Sequence, residues 1–165
     1  MRSYIERAQD FIKEFYPYIS DCHNHWQREV NTLEYNMDYN RRVQYCHGLT
    51  RIAFVTSDYV VKMDYDAKQV ATFGGCESEI ELYEEAEQDG MEYLFAKITR
   101  FEYQGKMFYI MPRIRGIGRK FWDAWAYMTD EESDWCERHD LHDLHNLNYG
   151  WKDNHVVLID YGAHS

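Results

Sequence analysis

Asp143-Leu-His-Asn-Leu-Asn148 and, a few residues on, Val157-Leu-Ile-Asp160-Tyr-Gly162 are the stretches on which the reading of this chain turns. The first sets a carboxylate and a carboxamide on one loop. The second runs an apolar strand directly into an aspartate and then a glycine, and Lys152-Asp-Asn between the two has the composition of a β-turn.

Upstream of these, Arg51-Ile-Ala-Phe-Val and Tyr59-Val-Val-Lys-Met flank the polar break Thr56-Ser-Asp, which predicts a hairpin with Lys62 near the end of its second strand. Cys76 to Gln88 predicts a helix, because Ile80, Tyr83 and Ala86 recur at helical spacing among glutamates and Asp89-Gly90 supplies a stop. Tyr93-Leu-Phe-Ala-Lys-Ile-Thr-Arg-Phe and Lys106-Met-Phe-Tyr-Ile-Met predict two more strands, joined by the polar turn from Glu102 to Gly105 and ended by Pro112 and Gly116. A helix is expected from about Lys120 to Arg138, and a last strand at Val156-Val-Leu-Ile. At the N-terminus Ile5, Ala8, Phe11, Ile12 and Phe15 share one face of a helix expected from Ser3 to Tyr16 and closed by Pro17. A second, polar-rich helix is expected from about Asp21 to Met37.

Composition narrows the classes. A chain of 165 residues supports one ordinary core, and 45% hydrophobic residues with 15 tyrosines exclude the aromatic-poor composition of disordered chains. With 18 basic against 29 acidic residues, and a formal net charge of -11, direct binding to a nucleic-acid backbone is not expected. Cys22, Cys46, Cys76 and Cys136 form no CxxC pair, so reduced core thiols are expected rather than a zinc ribbon. The start, Met1-Arg-Ser-Tyr-Ile-Glu-Arg, lacks a signal-like apolar run and no stretch is long and apolar enough to span a bilayer, so the expectation is a cytoplasmic protein with no membrane partner.

The element order and four local motifs together resemble the protein-kinase-like fold, which takes in protein kinases, aminoglycoside phosphotransferases and small kinase-like proteins of bacteriophages. The resemblance runs from about Val43 to Ala163. Val60-Val-Lys62 is similar to the strand lysine that holds the nucleotide α- and β-phosphates, and Glu79 stands where the family keeps that lysine's carboxylate partner. Glu77, Glu81, Glu84 and Glu85 compete for this role on the same helix. Asp143-Leu-His-Asn-Leu-Asn148 is similar to the D-[LI]-H-x-x-N catalytic loop, in which the aspartate orients the acceptor hydroxyl and the asparagine binds metal. Asp140-Leu-His opens the same pattern, but His145 then falls where asparagine is required, so Asp143 fits better. Asp160-Tyr-Gly162 resembles the D-F-G element, whose aspartate holds a metal on the β- and γ-phosphates. His47-Gly48-Leu-Thr-Arg51 takes the place of the glycine-rich phosphate lid with a single glycine, and Met111-Pro-Arg113 that of the hinge that meets adenine.

The resemblance implies an α+β fold with an antiparallel-sheet N-lobe over residues 43–113 and a rudimentary helical C-lobe over 114–165, preceded by a helical extension over 1–42. It also implies ATP and Mg²⁺ as cofactors: Asp143, Lys62 and Glu79 in the catalytic set; Lys62, Gly48, Met111 and Arg113 on the nucleotide; Asn148 and Asp160 on the metal. Two functions are compatible with it. One is a minimal phosphotransferase acting on a protein or small-molecule hydroxyl. The other is a catalytically silent, virus-encoded binding protein that engages a host enzyme through acidic and tyrosine-rich surface, with DNA mimicry by the Glu77 to Glu87 helix as a variant of it. A metal site on His139, His142 and His145 is the rival reading of the loop, favoured only by their even spacing.

Overall fold

A computed structural model describes residues 2–19, 44–47, 50–64, 70–72, 74–115, 122–142, 144 and 148–161. It is a mixed α+β structure with antiparallel sheets, and its residues fall into two compact units, one drawn from 1–72 and 98–113, the other from 73–97 and 114–165.

Among the described residues, the first unit is a sheet backed on one face by a helix. Helix α1 (Tyr4–Ile19) precedes strands β1 (Gln44–His47), β2 (Arg51–Val55) and β3 (Tyr59–Asp64), and β4 (Thr99–Tyr103) and β5 (Lys106–Pro112) complete an antiparallel sheet of order β1-β2-β3-β5-β4. Because strand side chains alternate between faces, Ile52 and Phe54, Val61 and Met63, and Phe108 and Ile110 fall on one face. They close on Ala8, Phe11 and Ile12 of α1 to form the unit's core. Arg7 ties the helix to the β2–β3 turn by donating from Nε to Asp58 Oδ2 at 2.7 Å. Thr56 shapes that turn: its hydroxyl accepts from the Tyr59 N–H at 3.1 Å and donates to the Tyr59 carbonyl at 2.8 Å. The β4–β5 connection is a two-residue loop with both Gln104 and Gly105 at positive φ, the conformation whose twist suits a tight hairpin.

Two sequence expectations change here. Helix α1 runs through Pro17 to Ile19 instead of stopping before it; Pro17 has no N–H to give the carbonyl four residues back, and the helix ends two residues later. The strand expected from Tyr93 begins only at Thr99. Glu92–Leu94 is a 3₁₀ turn, and Leu94, Phe95 and Ala96 are all buried with no alternation, so the segment has no exposed face for a half-buried strand. The helix expected from Asp21 to Met37 lies outside the described residues.

The second unit holds α2 (Cys76–Gln88), α3 (Asp130–Arg138) and the hairpin of β6 (Tyr149–Lys152) and β7 (His155–Leu158). Helix α2 keeps its expected bounds and ends in a Schellman motif. Gly90, at φ +71°, donates to Glu87 O at 3.3 Å while the Met91 N–H reaches Ala86 O at 2.8 Å. The long helix expected from Lys120 is replaced, among described residues, by a 3₁₀ turn at Ala124–Tyr127 and the shorter α3. Thr129 imposes this start: its hydroxyl accepts from Glu132 N at 3.2 Å and the Glu132 carboxylate accepts from Thr129 N at 2.9 Å, a reciprocal capping box. Helix α3 closes as α2 does, with Asp140 at φ +57° in the left-handed position and Leu141 N donating to Cys136 O at 3.0 Å. Cys76 and Cys136 are buried thiols, and burial pushes the Cys136 thiol up to about 12. No described helix is long and apolar enough to cross a membrane.

Two substitutions test these local readings by thermal and urea denaturation. A β-carbon on Gly150 would stand 2.5 Å from the Ile114 side chain and 3.0 Å from its carbonyl. Gly150→Ala is therefore expected to destabilise by about 1–3 kcal/mol, lowering Tm by several degrees. Asp140→Gly relieves an aspartate of a left-handed backbone and is expected to stabilise by about 0.5–1 kcal/mol.

Candidate functional site

The β6–β7 hairpin is the device that positions the carboxylate and carboxamide singled out above. Its turn holds Asp153 at φ 52° and Asn154 at φ 63°, both left-handed, so a two-residue connection reverses the chain with the right twist. The register pairs Tyr149 with Leu158 and Gly150 with Val157. Carried one residue further, it sets Asn148 beside Ile159, and the Ile159 N–H donates to the Asn148 carbonyl at 2.9 Å. Asn148 and Asp160, far apart in the chain, are thereby held at one end of one hairpin. Asn148 is 7% exposed and Asp160 half-buried.

The next residue fixes Asp160 further. Tyr161 is 4% exposed, donates its hydroxyl to the Ala96 carbonyl at 2.6 Å, and meets Phe95 edge-on at 4.9 Å. Burial, and then the negative charge of Glu79, push its phenol well above the ordinary range, so it acts here as a neutral donor. Phe95 in turn packs edge-on against Trp135, which is buried and donates its indole N–H to Asp89 at 2.8 Å. The Ala96 N–H donates to Leu158 O at 2.9 Å, and Phe95 bridges Leu158 in parallel. The strand that delivers Asp160 is therefore bonded on both sides, to β6 and to the 95–96 segment.

On α2, Glu79 is 0% exposed, and none of the other glutamates of that helix is buried. The sequence left five candidates for one role; burial singles out Glu79. A carboxylate so placed is tolerated only with a compensating partner.

In the first unit Lys62 lies on the sheet face opposite α1, paired in register with Ala53 on β2 and Tyr109 on β5. It is 6% exposed, which is unusual for a lysine and subject to the same demand for compensation. Alternation puts Val60 and Met111, a register pair, on this same face. Met111 is 1% exposed and Arg113 is exposed, its backbone N–H donating to Asp58 O at 3.0 Å and hence engaged within the sheet unit.

Gly48, Asp143 and His145 lie outside the described residues. Leu144, between the last two, has a buried side chain and a carbonyl that accepts from Ala124 N at 2.7 Å. His139, one of the three evenly spaced histidines, stacks on Trp135 at 3.7 Å with Nδ1 2.7 Å from the Trp135 carbonyl and Nε2 3.2 Å from Glu85, so both ring nitrogens have protein partners. Among the described residues no three His, Cys, Asp or Glu side chains group as a metal site. Carboxylate and amide oxygens such as those of Asp160 and Asn148 are instead the donors Mg²⁺ takes in ones and twos, keeping water and phosphate for its remaining positions.

Sequence reasoning missed the supporting contacts. Thr129-x-x-Glu132 was a readable capping signal; the pairing of Tyr161 with Ala96 and of Trp135 with Asp89 depends on partners distant in the chain and left no local mark. Compared with protein-family models, with curated proteins and with solved structures, the chain matches none.

If the Tyr161 hydroxyl does the anchoring, Tyr161→Phe should keep the ring in place and cost about 0.5–1.5 kcal/mol, whereas Tyr161→Ala should cost about 3–5 kcal/mol. Urea titration of both variants measures the difference, and a Tyr161→Phe variant as stable as wild type would show that the ring alone matters.

Proposed function

We propose that this chain binds ATP with Mg²⁺ and is a minimal phosphotransferase of the protein-kinase-like kind, transferring the γ-phosphoryl group to a protein or small-molecule hydroxyl. The observation that carries the reading is the Ile159 N–H to Asn148 carbonyl bond, which brings a buried amide and the Asp160 carboxylate to one hairpin end. Three further features support it: a buried lysine on the open face of an antiparallel sheet, a single buried glutamate on the helix that comes after that sheet's third strand, and the chain order of hairpin, helix, hairpin, helix, loop, hairpin and aspartate.

In this reading Asn148 and Asp160 hold the metal, which when bound would neutralise the β- and γ-phosphates. Lys62 carries a fixed positive charge to the α- and β-phosphates, and Glu79 is the carboxylate assigned to it. Asp143 accepts the proton of the attacking hydroxyl or orients it. Ala53, Val60 and Met111, apolar and on the face of Lys62, offer a surface for the base.

The alternative, a silent kinase-like protein that binds a host enzyme, draws on the exposed glutamates of α2 at 81, 84, 85 and 87. Titration calorimetry and a phosphotransfer assay separate the two. Wild type should bind ATP only with Mg²⁺ present, and Asp160→Ala and Lys62→Met should each weaken binding by roughly tenfold or more. Asp143→Asn should keep binding and lower transfer by about 10²–10⁴-fold. Binding with no transfer to any acceptor, including the chain itself, favours the silent protein; no binding by wild type removes the nucleotide reading altogether.

A further inference from the structure

Charge is unevenly placed along this chain. Of its 29 acidic and 18 basic residues, 18 acidic and 6 basic fall in the second unit, leaving 11 and 12 in the first. The formal net charge of -11 therefore belongs to the unit that holds α2 and α3, and a field of that sign draws cations toward it.

Within this unit a groove of about 180 Å³ lies between α2 and the chain that leaves α3. Its α2 wall is Glu81, Leu82 and Glu85, spaced three and four residues apart and so on one side of the helix. Asp140 and Leu141 form the opposite wall, and Tyr161 completes the lining. Two contacts hold the walls in place: Glu85 Oε2 lies 3.2 Å from His139 Nε2, and the Trp135 indole N–H donates to Asp89 at 2.8 Å. Leu141 and Tyr161 are buried and Leu82 half-buried, which makes the inner surface apolar, whereas Glu81, Glu85 and Asp140 are exposed at the rim. Among the described residues, Glu85 and Asp140 have histidines as their ion-pair partners, His139 and His142, and Glu81 has no ion pair. Three carboxylates thus surround an apolar groove with no lysine or arginine of the described residues to pair with them.

Size and chemistry together select the occupant. Pockets for drug-sized ligands run from about 300 Å³ upward, whereas a cavity of roughly 150 Å³ takes a single benzene; a groove of about 180 Å³ suits one long side chain. We propose that it is a docking site for an arginine side chain of a partner protein. The methylene stem lies along Leu82, Leu141 and Tyr161, as long cationic side chains lie along apolar surface. The guanidinium reaches Glu81 and Asp140 on the two walls, with Glu85 beside them. Arginine suits this rim better than lysine, because its planar fork of five donors can serve carboxylates on both sides at once and is more weakly hydrated than an ammonium. The site is independent of the nucleotide reading, since none of these carboxylates is assigned to metal or phosphate.

NMR titration of the isotope-labelled full chain with a capped Gly-Arg-Gly peptide tests this, in physiological salt so that charges further apart than roughly 8 Å are screened. The amide signals of Glu81, Leu82 and Leu141 should shift together and saturate. A peptide with citrulline in place of arginine, which keeps the shape and loses the charge, should leave them unmoved, and a lysine peptide should bind several-fold more weakly. Glu81→Gln and Asp140→Asn, both at exposed positions, should each weaken binding by roughly tenfold or more. Glu84→Gln and Glu87→Gln remove the same charge from α2 outside the groove and should leave binding unchanged. Shifts spread evenly over the acidic surface of α2 and α3, equal binding of the lysine or citrulline peptide, equal losses in all four variants, or no saturable shift would overturn the proposal.

Discussion

Two backbone hydrogen bonds at the end of β7 carry the site. The Leu158 carbonyl accepts from Ala96 and the Ile159 N–H donates to Asn148, so consecutive residues are bonded to different neighbours on opposite sides. Backbone bonds of this kind leave a strand no freedom to slide, since a slip by one residue would turn Val157 outward and expose an apolar side chain now 3% accessible. Asp160 inherits that rigidity, and Tyr161 locks it by burying a ring and satisfying its hydroxyl on Ala96. Catalytic or binding groups gain from being held before ligand arrives, because the ordering cost has been met in folding.

The first unit makes a different use of its sheet. One face is saturated with apolar contact to α1, where Phe11 meets Phe54 at 5.7 Å and Phe15 at 4.7 Å between ring centroids. The other face carries Lys62 among small and apolar neighbours. Burying an ammonium and, on α2, a carboxylate is costly by several kcal/mol each unless charge is compensated, and neither residue improves a core by being there. Such placement separates Lys62 and Glu79 from the solvated lysines and glutamates around them.

Much of this was legible in the chain. Alternation in Arg51–Val55 and Lys106–Met111, and the glycine stop after Gln88, gave β2, β5 and α2 within a residue or so, because each depends on local pattern, whereas β1 was not read as a strand. The segment Tyr93–Ile98 was misread because a continuous apolar run fits a buried irregular segment as well as a strand, and only its partners decide. Strand β6 was missed because Tyr-Gly-Trp-Lys is short and its glycine is required by the close passage of Ile114, a contact with no signature in sequence. The candidate site divides the same way. Asn148 and Asp160 could be named from motif, whereas the choice of Glu79 among its neighbours needed burial, and the role of Tyr161 needed a partner 65 residues away.

Everything proposed for the site rests on Asn148 and Asp160 jointly holding a metal–nucleotide complex. Mn²⁺, a paramagnetic stand-in for Mg²⁺, reports on this when added with ATP to isotope-labelled protein and followed by NMR. The amide signals of Asn148, Tyr149 and Ile159 to Tyr161 should broaden selectively, and in Asp160→Ala that broadening should vanish while the remaining spectrum is unchanged. Broadening centred elsewhere on the chain, or none with ATP and Mn²⁺ both in excess, would show that the hairpin end is not the metal site.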